Sequence, residues 1–244
     1  MKGNLFDTHF HLDLQKSKEL AINVIEQNKI YTIAVTNLPP LFEKLNSNVK
    51  SKYVRIALGF HPELIGQYQK YIPDMWRLLP DVKYVGEVGL DLKTNKESRK
   101  LQISFFEELI SRCNEIGGKV LSVHSRMAAS EVVSIIGEQF NGKIILHWYS
   151  GSKQIQLNAI NIGCYFSVNY AMLNSESGEK IVKNIPNDRI LIETDSPFIP
   201  INGQVINQLS NINKTIENLA LLMDLKFDEL KNMLWKNFES ILKT

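Results

Sequence analysis

Eight short β-branched runs, each followed by a stretch of helical period, punctuate this chain of 244 residues from one end to the other. They fall at residues 4–9, 31–36, 53–59, 83–87, 119–124, 143–147, 164–168 and 189–193. Strands that alternate with helices imply parallel βαβ units, and eight such units close into a (β/α)8 TIM barrel. The rival is an open, doubly wound sheet. It calls for a Gly-x-Gly-x-x-Gly turn after the first strand, where this chain has His9-Phe10-His11.

The helical stretches support the same reading. In 101–116, Leu101, Phe105, Leu109, Cys113 and Ile116 recur at helical spacing, and Gly117-Gly118 stands where a left-handed cap is wanted. Two amphipathic patterns fill the tail, first Ile212, Ile216, Leu219 and Met223, then Leu230, Leu234, Phe238 and Ile241. Residues 1–244 are therefore expected to form a single barrel domain, with helices in 208–244 covering the last strand and closing it. Phe227-Asp228 before Glu229 has the character of a helix start.

Composition narrows the function classes. A hydrophobic fraction of 44% and a charged fraction of 22% are those of a soluble globular chain. No apolar run has the length to cross a bilayer, and no basic stretch leads into an apolar core at the start. The expectation is a cytoplasmic protein without a membrane partner. Cys113 and Cys164 make neither a disulfide framework nor a Cys-x-x-Cys site and are expected in the core. A net charge of +2 is too small for holding long duplex DNA by bulk electrostatics. Any nucleic-acid contact must be local: an end, a short single strand, or a few phosphates.

In a parallel barrel, chemistry sits at the C-terminal ends of the strands. Read in order, those ends carry His9 and His11, then His61, then Glu87 with Asp91, then His124 with Arg126, then His147, and last Glu193 with Asp195. A lone His-x-His is more often an ordinary pair of side chains than a metal grip. A whole rim of such groups is far harder to reach by accident. Four histidines and two carboxylates suit two divalent metal ions, with zinc or manganese the easier occupants and magnesium less comfortable. Such a pair draws a nucleophile from water near neutral pH and stabilises charge on a leaving oxygen.

The motifs Asp7-Thr8-His9-Phe10-His11-Leu12-Asp13, Gly59-Phe60-His61-Pro62, Gly86-Glu87-Val88-Gly89-Leu90-Asp91, His124-Ser125-Arg126, His147-Trp148-Tyr149-Ser150-Gly151 and Glu193-Thr194-Asp195-Ser196-Pro197-Phe198 follow one another along the chain. In content and order they resemble the TatD family of metal-dependent deoxyribonucleases, within the amidohydrolase-like barrels. The resemblance implies a first metal held by His9, His11, Glu87 and Asp195, and a second held by Glu87, His124 and His147, with Glu87 as the bridge. It implies Asp195 as proton acceptor for the attacking water and His61 facing the scissile phosphate, where it assists the leaving oxygen. Arg126 either holds a phosphate oxygen or pairs with a neighbouring carboxylate. Glu193 is expected to orient a ligand. The implied substrate is single-stranded DNA or a DNA end, cut at a phosphodiester bond, 3′ to 5′.

Ser122-Val123-His124-Ser125-Arg126, His147-Trp148-Tyr149-Ser150-Gly151-Ser152 and Gly163-Cys164-Tyr165-Phe166-Ser167-Val168 further resemble the QatD branch of that family, a component of the Qat anti-phage system. That resemblance implies a defence role and the other Qat proteins as partners. The chain departs from the family pattern at three places. Leu92 stands where an aromatic is common, Trp148 replaces a cysteine, and Ile201-Asn202-Gly203-Gln204 replaces an Asn/Pro-rich loop. Two alternatives stay open at this point: an amide or ester hydrolase on the same barrel, and a metal-bound scaffold within a defence complex.

Overall fold

The computed structural model describes residues 4–201, 203 and 207–243, so Asn202 and Gln204 of the departing loop lie outside the described residues. Eight strands run through them: β1 (Phe6–Phe10), β2 (Tyr31–Ala34), β3 (Val54–Ile56), β4 (Tyr84–Gly89), β5 (Lys119–His124), β6 (Gly142–His147), β7 (Tyr165–Val168) and β8 (Ile190–Ile192). All paired neighbours are parallel, β1 through β3 in one ladder and β4 through β8 in another.

Two seams join those ladders into a ring. At the first, Leu58 N–H donates to Tyr84 O (3.0 Å) and Gly86 N–H to Leu58 O (2.8 Å). Thr36 and β4 also exchange bonds, Thr36 N–H to Gly86 O and Glu87 N–H to Thr36 O, both 3.0 Å. At the second seam Asp195 N–H donates to His9 O (3.0 Å), His11 N–H to Ser196 O (3.1 Å), and the Thr8 hydroxyl to Ile192 O (3.0 Å). The strand order thus runs from β1 to β8 and back to β1, a closed (β/α)8 TIM barrel.

The first seam explains a glycine. A Cβ on Gly59 would lie 1.6 Å from Thr36 O and 2.5 Å from Gly86 O. Only a residue without a side chain lets these backbones approach. The same crossing ends the third strand at Ile56: Ala57 N–H makes a last bond to β2 at Ala34 O (2.9 Å), and from Leu58 the chain bonds to β4.

The helix Lys96–Ile116 begins where the Asn95 side chain accepts from Ser98 N–H (2.9 Å) and stops at Gly117 and Gly118, both at positive φ. Its buried face is Gln102, Phe105, Phe106, Leu109, Ile110 and Cys113. Leu101 and Ile116, expected on that face, are 38% and 43% exposed. Steps of four residues turn about 40° too far each time, so a row of them drifts off any one face. Cys113 and Cys164 are buried free thiols, and burial pushes both up to about 12.

The helices Gln208–Met223 and Phe227–Leu242 bury Ile212, Ile216 and Leu219, then Leu230, Leu234, Phe238 and Ile241, with Met223 half-buried. Phe238 stacks on Phe6 of β1 with ring centroids 4.4 Å apart. The Asn237 amide donates to Ile190 O at the start of β8 (2.8 Å). No helix among the described residues is long and apolar enough to cross a membrane.

Candidate metal centre

The floor of the site begins one layer below it. Asp7 of β1 is fully buried, and its carboxylate accepts from His9 N–H (3.1 Å), Thr194 N–H (3.1 Å), the Thr194 hydroxyl (2.6 Å) and the Gln208 amide (2.9 Å). These bonds brace the end of β1 against the segment after β8. They set His9 and Asp195 side by side.

Above that brace the expected residues converge. His9 Nε2 lies 3.3 Å from His11 Nε2, 3.5 Å from Glu87 Oε2 and 3.7 Å from Asp195 Oδ1. His11 Nε2 lies 3.6 Å from Glu87 Oε2 and 3.3 Å from Asp195 Oδ1. Bonds of roughly 2.0–2.2 Å from one cation to four such atoms would set them about 3.3–3.6 Å apart. These residues fit a divalent cation.

The other oxygen of Glu87 faces a second group. Oε1 lies 2.9 Å from His124 Nδ1, 3.0 Å from His147 Nε2 and 3.4 Å from His61 Nε2. His124 Nδ1 and His147 Nε2 are 3.2 Å apart. One carboxylate therefore divides its two oxygens between two clusters of imidazole nitrogen.

Outer partners fix which nitrogen each ring turns inward. Ser122 Oγ sits 2.7 Å from His9 Nδ1 on the side away from the cluster, so Nε2 is the nitrogen turned toward it. Asp91 Oδ2 takes the proton on His124 Nε2 (3.0 Å), which leaves Nδ1 inward. Glu193 Oε1 stands 3.6 Å from His147 Nδ1. Glu193 itself accepts from the Asn169 amide (2.9 Å), Trp148 N–H (3.1 Å) and the Ser167 hydroxyl. Ser122, Ser167 and Asn169 were not anticipated. The available signal was a polar residue inside an apolar strand run, as in Val-Leu-Ser-Val-His and Tyr-Phe-Ser-Val.

The electrostatics follow from burial and proximity. Burial alone would raise the Glu87 carboxyl, but the charges of His61 and His147 and hydrogen bonds from His124 and His147 hold it well below the usual range. Burial, with His147 nearby, pushes His9 down to about 4. Burial also works against the charged forms of His11, His124 and His147. There the carboxylates outweigh it: Asp195 and Glu87 raise His11, Asp91 and Glu87 raise His124, and Glu87 and Glu193 raise His147 well above its ordinary value.

These groups open into a pocket of about 540 Å³, a size suited to a small organic ligand. Arg126 lines it, half exposed, with its guanidinium 3.6 Å from Asp91 Oδ2. The six residues expected as metal ligands, His9, His11, Glu87, His124, His147 and Asp195, and His61, expected to face the phosphate, all stand at the C-terminal rim within this one constellation.

The TatD related DNase family matches residues 6–243 of this sequence. The chain belongs to that family. TatD relatives include the uncharacterized metal-dependent hydrolase YabD of Bacillus subtilis, 28% identical over 98% of this chain and 99% of that protein. The human deoxyribonuclease TATDN3 is 26% identical over 96% and 92%. Among solved structures, the TatD homolog YjjV of Escherichia coli superposes with a TM-score of 0.85 at 21% identity, covering 99% of this chain and 98% of the other. A TatD family hydrolase from Entamoeba histolytica gives 0.77 at 17%, covering 99% and 98%. At those identities the structures establish the barrel. Membership makes the chain a metal-dependent hydrolase of the TatD DNase type.

Proposed function

We propose that this protein hydrolyses phosphodiester bonds of DNA, 3′ to 5′ on single-stranded DNA or at a DNA end, with two divalent cations. The observation that carries the reading is the division of Glu87, with Oε2 toward His9 and His11 and Oε1 toward His61, His124 and His147. One cation takes His9, His11, Glu87 and Asp195. The other takes Glu87, His124 and His147. When bound, the cations supply Lewis acidity toward the phosphate and lower the pKa of water.

The chain's own residues supply the rest. Asp195, lining the pocket and 3.3 Å from His11 Nε2, accepts the proton of the attacking water at its carboxylate. His61 Nε2, 3.4 Å from Glu87 Oε1 on the pocket wall, faces the leaving oxygen and donates toward it. Arg126 reaches a non-bridging phosphate oxygen with guanidinium donors that Asp91 leaves free. The test is degradation of end-labelled single-stranded DNA by purified protein with manganese or zinc. Wild type shortens it from the 3′ end and Glu87→Ala does not. No cleavage of DNA, RNA or nucleotides with any divalent metal would overturn the reading.

A role in Qat anti-phage defence, with the other Qat proteins as partners, is supported by the motifs around His124, His147 and Ser167. Phage plating on cells carrying the complete system tests it. Protection that survives Glu87→Ala removes hydrolysis from the defence.

A further inference from the structure

Two large aromatic side chains at the mouth of the pocket have no part in the metal chemistry. Trp148 is 39% exposed and Phe198 56%, and both line the pocket that contains Glu87 and Asp195. Rings of this size are ordinarily turned into a core. Here both are held where solvent reaches them.

The backbone fixes one of them. Trp148 follows His147 directly and sits at φ 40°, with its N–H donated to Glu193 Oε1 (3.1 Å). A bulky residue at positive φ is uncommon and persists only where its surroundings over-determine it. Among the described residues, Lys29 and Asp224 adopt positive φ as ordinary helix ends, whereas Met127, Trp148 and Asp195 do so just beyond β5, β6 and β8. Phe198 stands edge-on to His11, with centroids 5.1 Å apart and planes at 89°. Both rings are thus tied to metal-site histidines, one through the chain and one through contact.

Strand order divides the mouth into two arcs. His61 and Arg126 follow β3 and β5, together with the acid Glu63, and Trp148 and Phe198 follow β6 and β8. Glu87 of β4 and Asp91 just after it belong to the first arc. One arc of the mouth therefore carries cationic and proton-donating groups beside acids, and the other carries two exposed aromatic rings. A nucleotide has the matching halves, a charged phosphate and a flat base. We propose that Trp148 and Phe198 form a stacking platform for the base at the end of the strand being cut. The proposal rests on the phosphodiesterase reading above. Every base has a π face, so such a platform accepts any base, but only one released from its partner and its neighbour. The substrate end is then unpaired, and the base beside the scissile bond is gripped by its faces rather than read at its edges.

The test compares two probes in manganese: a short oligothymidylate, and the same oligomer ending in an abasic 3′ nucleotide. For wild type we expect kcat/KM about tenfold higher at the base-bearing end. Trp148→Ala and Phe198→Ala each bring that ratio toward one, whereas Trp148→Phe keeps most of it. The ratio is internal to each variant, so a general loss of activity or fold does not mimic the effect. A wild-type ratio of one, or alanine variants that keep the wild-type ratio, overturns the platform and leaves the nuclease standing. Failure of wild type to cut either probe overturns both.

Discussion

Thr194 meets the Asp7 carboxylate twice, donating its N–H to one oxygen at 3.1 Å and its hydroxyl to the other at 2.6 Å. The two residues are 187 positions apart and belong to the first and last strand ends. Their link, with the Gln208 amide, holds His9 against Asp195.

Replacing Asp7 by alanine leaves buried donors from His9, Thr194 and Gln208 without an acceptor. Urea denaturation should show a loss of about 3 kcal/mol for Asp7→Ala and a smaller one for Asp7→Asn. Equal stability of Asp7→Ala and wild type would mean that the brace contributes nothing.

Gly59→Ala should fail more completely, because its Cβ would overlap backbone oxygens that cannot swing aside. We expect insoluble protein, or a stability loss of about 3 kcal/mol or more. A soluble variant melting with wild type would show that the first seam is looser than its hydrogen bonds imply.

Cation uptake should be strongly pH-dependent. His11, His124 and His147 are raised above their ordinary value of about 6.5 by the carboxylates around them. In the metal-free protein their protonation favours the fold. That contribution is fully present below about 6.5 and is lost as pH rises through the raised values. A cation needs the same lone pairs, so its affinity rises with pH until the raised values are passed, and its binding below them releases protons. Calorimetry in buffers of different ionisation enthalpy measures that release. Affinity flat in pH with no proton release would contradict it.

Glu193→Gln tests a positioning residue. The glutamine keeps an acceptor for Trp148 N–H but removes the charge facing His147 Nδ1. Metal affinity should fall roughly 10–100-fold, and the metal-free protein, losing the carboxylate that favours protonated His147, should melt lower at neutral pH. Unchanged affinity would leave Glu193 a purely structural acceptor.

The convergence of the histidines and acids on one rim was legible because each strand end announces itself, an apolar run stopping at a histidine or acid, and a parallel barrel gathers all such ends. Ser122, Ser167 and Asn169 were not legible as supports, since a single small polar residue in an apolar strand has no period to betray it. The third strand looked longer in sequence than it is. Tyr53 to Gly59 is apolar apart from Arg55, but which neighbour its far end bonds is decided by Thr36 and Gly86, far away in sequence. Arg126 could be placed on the rim, but its pairing with Asp91 needed coordinates, because both lie in segments beyond the regular strands.

The second seam also has a consequence in time. Half of the first donor set comes from the opening strand and a quarter from a residue just past the eighth, joined through Asp195 N–H and His9 O. A nascent chain that has emerged only as far as β7 owns the histidines but lacks the acid that completes their seat. The candidate donor set is therefore completed last, once the ring has met its own beginning.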